Sequence, residues 1–293
     1  MIAGLNGGPT RSPIIHWVSN MYPELFHIGS FPVRAYGLML AASFVVGVLY
    51  IKHVVERDKK SFEPYLTIAT LMILGGVVGA RLFYVIFHLD EFSGHWLNTI
   101  NPFHEGQFGI AGLNLYGGVL VALAATIWYC RRAGLSILET FDYFAPTLGI
   151  GLAITRIGCF LNGCCFGVPT TLPWGIKFPE GSIPDYIFHN QYIHPTQLYS
   201  SLYGLILFLF LNRMLPRKKF NGQLVAFLFM AEATFRFLIE DVRYYESEMK
   251  FTLGGMSITY NQVISVGLFV TGLAIYIVQR QRAAVRARSV TTG

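Results

Sequence analysis

The sequence predicts an all-α integral membrane protein with seven transmembrane helices, the N-terminus outside and the C-terminus inside. Three observations carry this. Of 293 residues, 53% are hydrophobic and 13% charged, with a mean hydropathy of +0.48, too apolar for a soluble domain. Seven segments approach the roughly 20 apolar residues needed to cross a bilayer. Lys and Arg gather after every second segment.

Residues 1–32 mix Pro, Gly and scattered aromatics and read as an amphipathic lead-in on the outer side. They lack a basic stretch followed by an apolar core, so no cleavable signal peptide is expected. The expected spans are Ala35–Ile51, Tyr65–Phe87, Ile110–Cys130, Ile137–Leu161, Gln197–Leu211, Gln223–Val242 and Ile258–Val278. Residues 89–108 form a polar, aromatic outer arm, and 163–193 a Pro- and Gly-rich insertion too long for a turn. Gly163 and Pro169 stop the fourth helix. The chain reads as one membrane domain over residues 1–279 with a basic cytoplasmic tail, 280–293.

The charges orient the bundle. Lys52, Arg57, Lys59 and Lys60 follow the first span, and Arg131 and Arg132 the third. Arg213, Arg217, Lys218 and Lys219 follow the fifth, and Arg280, Arg282, Arg286 and Arg288 the seventh. These are 14 of the 22 basic residues, and an odd number of spans puts them all on the cytoplasmic side. The net charge of +6 therefore records topology, and no nucleic-acid partner is expected.

Orientation converts position into depth. Arg81, Arg156 and Arg236 lie about 16, 19 and 13 residues into spans that run outward, which at 1.5 Å per residue places all three in the outer half. Tyr36, Tyr116, His194, Gln197, Tyr199, Asn261 and Gln262 lie in or just before the first turns of the inward-running spans, at the same level. A single arginine near a helix end can snorkel to the headgroups. Three on different helices at one depth fit a site for an anionic phospholipid headgroup, since a guanidinium forks onto phosphate. Glu232, Arg236, Glu240 and Arg243 also share one helical face and form a structural ladder on the plainer reading. Gly75, Gly76 and Gly79 are read as close packing, whereas for Gly117 and Gly118 packing and substrate access weigh equally. Cys159, Cys164 and Cys165 lack paired C-x-x-C spacing. Their readings are a zinc site, a disulfide from Cys159 to Cys164 or Cys165, or inert apolar cysteines, the last being favoured. No metal or cofactor is called for. A transporter or flippase for an anionic lipid or solute is the alternative function class, but no pair of matching halves is visible.

Arg156-Ile-Gly-Cys-Phe-Leu-Asn162-Gly163, with Gly167, resembles the pattern Gly-Arg-x-Gly-Asn-Phe-x-Asn-x-Glu-x-x-Gly of bacterial prolipoprotein diacylglyceryl transferases. Ala35-Tyr36-Gly37-Leu38-Met39, Gly79-Ala80-Arg81-Leu82-Phe83-Tyr84, Tyr116-Gly117-Gly118, His194-Pro195-Thr196-Gln197-Leu198-Tyr199 and Phe235-Arg236 with Glu240 and Arg243 extend the resemblance in the same order. It implies an enzyme of the bacterial inner membrane, with its site facing outward. That enzyme passes the diacylglyceryl group of phosphatidylglycerol to the lipobox cysteine of a prolipoprotein signal peptide, forming a thioether and releasing glycerol phosphate. It implies catalytic roles for Arg236, Tyr116 and His194, and phosphatidylglycerol binding by Arg156, Arg236, Asn162, Tyr36, Arg81 and Glu240. The expected protein is a monomer, and its own cysteines are dispensable because the substrate supplies the thiol. Three departures stand out: Thr155, Cys159 and Cys164 replace the pattern's Gly, Asn and Glu. Many members carry a histidine, a candidate base, where this chain has Tyr116. A free phenol titrates near pH ~10, so Tyr116 is expected to orient a substrate through its hydroxyl.

Overall fold

The computed structural model describes residues 23–29, 31–92, 103–104, 107–108, 114–245, 250–253 and 256–291. The chain is mostly helical. Its long helices are α1 (Ala35–Arg57), α2 (Glu63–Phe87), α3 (Leu115–Arg132), α4 (Ile137–Asn162), α5 (Thr196–Met214), α6 (Gln223–Ile239) and α7 (Tyr260–Thr291). Among the described residues five helical stretches are long and apolar enough to cross a membrane: α1, α2, α4, α5 with its 3-10 extension to Arg217, and α7. α3 and α6 have 18 and 17 residues. Leu49, Leu74, Val78, Leu202, Leu238 and Val270 are more than half exposed on these helices, as expected of surfaces whose solvent is hydrocarbon.

The connections include short strands. Three antiparallel hairpins are present: β1 (Glu24–Ile28) with β2 (Phe31–Arg34), β3 (Phe103–His104) with β4 (Gln107–Phe108), and β5 (Lys250–Leu253) with β6 (Met256–Thr259). Segments this short carry too few residues for an alternating pattern to stand out in sequence. The expected arm at 89–108 is described only as one helical turn, Leu89–Phe92, and the β3–β4 hairpin. The expected start of the third span at Ile110 and most of the lead-in lie outside the described residues. The sixth helix ends at Ile239, with Glu240–Val242 in a 3-10 turn, so the four-residue ladder expected there does not continue to Arg243. The seventh begins at Tyr260 and runs through the basic residues to Thr291.

The helix starts are capped by side chains. Thr259 and Gln262 form a capping box on α7: the Gln262 N–H donates to Thr259 Oγ1 at 3.1 Å, and the Thr259 N–H to Gln262 Oε1 at 3.0 Å. Asn114 accepts from the Tyr116 and Gly117 amides at the start of α3. Asp142, 0% exposed in α4, accepts from the amides of Gly222, Leu224 and Val225 at 2.8, 2.9 and 3.1 Å and from Lys218 Nζ at 3.2 Å. It thus neutralises the orphan N–H groups that open α6.

The chain forms two compact units. The first comprises Met1–Ala42, Leu152–Gly204 and Ala233–Gly267; the second comprises Ser43–Gly151, Leu205–Glu232 and Leu268–Gly293. The second unit contains all four basic clusters, together with the Lys60–Glu139 ion pair and the 2.7 Å bond from the Tyr143 hydroxyl to Asp58. In it α2 and α3 pack backbone to backbone. A Cβ on Gly79 would stand 2.5 Å from the Gly117 carbonyl oxygen, one on Gly117 2.3 Å from Phe83 Cβ, and one on Gly118 2.7 Å from the Gly76 carbonyl oxygen. The glycines at the top of α3 are therefore packing residues.

Candidate active site

The first unit gathers six of the eight candidate residues: Tyr36, Arg156, Asn162, His194, Arg236 and Glu240. Three segments that leave helix ends are clamped together there. Asn162 ends α4, and Gly163, at φ +70°, turns the chain. The Gly163 and Cys164 amides return to the carbonyls of Phe160 (3.2 Å) and Cys159 (3.1 Å), the double bond of a Schellman stop. The chain then pairs with two neighbours. The Gly167 amide donates to the His194 carbonyl at 3.0 Å, the His194 amide to the Val168 carbonyl at 3.0 Å, and the Val168 amide to the Val242 carbonyl at 3.0 Å. Gly167 has no room for a side chain: an added Cβ would lie 2.6 Å from both His194 Cβ and the Val242 oxygen.

The insertion between these segments carries its own apolar core of Phe166, Ile176, Phe178 and Ile193. Tyr244 stacks on Phe166 at 5.6 Å and ties that core to the segment after α6. What reads in sequence as a Pro- and Gly-rich loop is a packed cap that holds His194 and Gly167 in place.

Arg236 and Glu240 form the charged centre. Arg236 Nη2 lies 3.0 Å from Glu240 Oε1, whose side chain is fully buried. Tyr245 joins both: its hydroxyl accepts from Arg236 Nη2 at 2.6 Å and donates to Glu240 Oε1 at 2.8 Å. Thr259 donates to Glu240 Oε2 at 3.0 Å. Burial pushes the Tyr245 phenol up to about 12, with the Glu240 bond adding to the rise against Arg243 and Arg236, so it remains a donor. Arg243 stacks over the Tyr245 ring at 5.1 Å, and its Nε is buried without a hydrogen-bond partner among the described residues. Sequence reasoning missed Tyr245 and Thr259, because both lie beyond the end of α6 and outside any helical spacing from Arg236.

Arg156 lies half-buried two turns before the end of α4. Among the described residues its guanidinium has neither a hydrogen bond nor an ion pair. It acts electrostatically on Tyr36, at the start of α1. Gly158 lets α1 and α4 approach here, its missing Cβ facing Met39 Cβ at 2.9 Å and Tyr36 Cα at 3.2 Å. Asn162 lies beside Cys164. His194 Nδ1 is 3.2 Å from the Tyr199 hydroxyl, and that hydroxyl accepts from Trp174 Nε1 at 2.8 Å. Burial lowers the His194 pKa from its ordinary value, so the ring is neutral at pH 7.

Arg81 and Tyr116 belong to the second unit. The Arg81 guanidinium stands over the rings of Tyr84 (5.7 Å) and Phe92 (5.2 Å). Tyr116, 57% exposed, occupies the first turn of α3.

Residues 23–278 match the family model described as prolipoprotein diacylglyceryl transferase. Curated relatives named phosphatidylglycerol–prolipoprotein diacylglyceryl transferase include one from Bordetella avium, 30% identical over 89% of this chain and 96% of its own length. One from Vibrio cholerae is 30% identical over 92% and 95%, and one from Gloeobacter violaceus 34% identical over 75% and 81%. With that agreement running through both units and through every segment that builds the clamp, this chain belongs to the prolipoprotein diacylglyceryl transferase family.

Proposed function

We propose that the chain transfers the diacylglyceryl group of phosphatidylglycerol to the lipobox cysteine thiol of prolipoproteins. The thiolate sulfur forms a bond to the phosphate-bearing carbon of the diacylglycerol moiety. The carbon–oxygen bond breaks, and its electron pair leaves on glycerol phosphate. The observation that carries this reading is Arg156: a half-buried guanidinium at the end of an apolar helix, with no protein anion to pair with among the described residues. Such a fork is suited to phosphate. Arg236, held by Glu240 and Tyr245, supplies a second positive group for the charge that develops on the leaving oxygen. Asn162 and Tyr36 bind the headgroup beside Arg156, and Arg81 contributes from its aromatic bracket.

His194 takes the thiol proton. In the tautomer whose Nδ1–H donates to the Tyr199 hydroxyl, Nε2 is the free acceptor, and the lowered pKa keeps it unprotonated at neutral pH. Tyr116 orients lipid or thiol through its hydroxyl. The protein is a monomer of the bacterial cytoplasmic membrane, one membrane domain over 1–279 with a basic tail. It has seven spans, its N-terminus and site outside and its C-terminus inside. The gathering of Lys and Arg after every second span supports this orientation.

The test incubates purified protein with phosphatidylglycerol vesicles and a lipobox peptide. A thioether adduct and glycerol phosphate in equal amounts are expected. Lipid movement between leaflets without adduct would instead identify a flippase.

A further inference from the structure

Cys159, Cys164 and Cys165 are remote from any C-x-x-C pattern, yet their three Sγ atoms lie within 4.8 Å of one another. The Schellman stop brings residue 164 back over 159, with the Cys164 amide 3.1 Å and its Sγ 3.7 Å from the Cys159 carbonyl. Cys165 then adopts φ +62°, a left-handed conformation that strains a residue with a Cβ. The surroundings impose it. Thr196 Oγ1 donates to the Cys165 carbonyl at 2.8 Å, and Gln197 Nε2 to the Cys164 carbonyl at 2.8 Å, both from buried side chains at the start of α5. Backbone strain held by two buried hydrogen bonds thus places the third sulfur beside the other two. Arg156 and Arg243 both act electrostatically on Cys165.

We propose that Cys159, Cys164 and Cys165 form a three-thiolate site for one soft cation of the zinc class. Zinc–sulfur bonds of about 2.3 Å at tetrahedral angles separate sulfurs by roughly 3.8 Å, a spacing these three reach with small side-chain movements. A disulfide, with its S–S bond of about 2.05 Å, would use two sulfurs and leave the third beside it. On binding, three thiol protons leave and three S–metal bonds form. The complex of a divalent ion then carries one net negative charge, and Arg243 offsets it. Among the described residues no other His, Cys, Asp or Glu joins the cluster, so the fourth tetrahedral position falls to water or another external donor. Two of the three cysteines stand where the family pattern has Asn and Glu, so that pattern does not supply the site.

The test uses the full chain, purified in detergent under a phosphine reductant and titrated with cobalt(II). One equivalent is expected, with the thiolate-to-cobalt charge-transfer bands that report sulfur ligation, displaced by zinc. Cys164→Ser and Cys165→Ser, each checked for folding by circular dichroism and size exclusion, should weaken binding at least ~100-fold. Cys130→Ala, which alters a buried thiol of the second unit, should leave it unchanged. Arg243→Gln should weaken binding by about tenfold, as loss of a supporting shell does. Zinc should raise the melting temperature of wild type and not of the serine variants. The proposal is overturned if the reduced protein shows no sulfur-ligated cobalt, or if the serine variants bind as wild type does. It is equally overturned if peptide mapping without reductant finds a Cys159–Cys164 or Cys159–Cys165 disulfide in a protein that, once reduced, takes up no cobalt.

Discussion

At the scale of single residues, Arg236 shows how charge is held in an apolar setting. Its partner Glu240 is buried and fully bonded, so the pair orients a guanidinium without leaving an isolated charge. A lysine at this position supplies charge but not the planar fork. Arg236→Lys should therefore fold and lose at least ~100-fold in kcat/KM in the adduct assay, and near-normal turnover would remove Arg236 from the mechanism. His194 makes a pH prediction. Folding favours its neutral form, so its contribution to stability is complete above pH ~6.5 and is lost as the pH falls through the lowered native pKa. Activity should follow the same window, and His194→Gln should lower the rate and abolish the acid limb of the pH–rate profile; an unchanged limb would assign it to another group. At Tyr116 the phenol serves as donor, so Tyr116→Phe should lower turnover partly and Tyr116→His should retain it. Abolition by Phe, with a basic limb that His moves toward pH ~6.5, would make position 116 the base.

At the scale of elements, the glycines divide by what faces them. Gly117 and Gly79 let α2 and α3 meet through backbone, and no side chain fits between. Gly117→Val should destabilise by about 1–3 kcal/mol, as overpacking does, measured by thermal unfolding in detergent. Retained stability would restore a role in substrate access. This pairing was half legible: Gly75-Gly76 and Gly117-Gly118 are visible as small residues, but their mutual facing depends on the rotation of two helices. The same limit applies to the cap. Gly163 as a helix stop is local chemistry and readable in sequence. The pairing of Gly167 with His194 and Val242 joins residues that are distant along the chain, and no spacing rule records it.

At the scale of the whole molecule, the topology prediction is the most exposed to test. In a chain whose four native cysteines are replaced by serine, a cysteine introduced by Ser289→Cys, at the exposed end of α7, should react with membrane-impermeant maleimide only after the inner face is opened; labelling of intact cells would refute the inward tail. The sequence by itself determined the helical, membrane-type fold, because hydrophobic length and the placement of Lys and Arg are properties of each segment alone. It also determined the family, through motifs ordered along most of the chain. Tertiary structure alone decided which polar groups satisfy one another. The Tyr245 bridge between Arg236 and Glu240, the capping of α6 by Asp142 and the meeting of three cysteines all depend on the directions in which chains leave their helices. Those directions are set by turns, hairpins and buried hydrogen bonds between remote segments, and no periodicity of 3.6 residues encodes them.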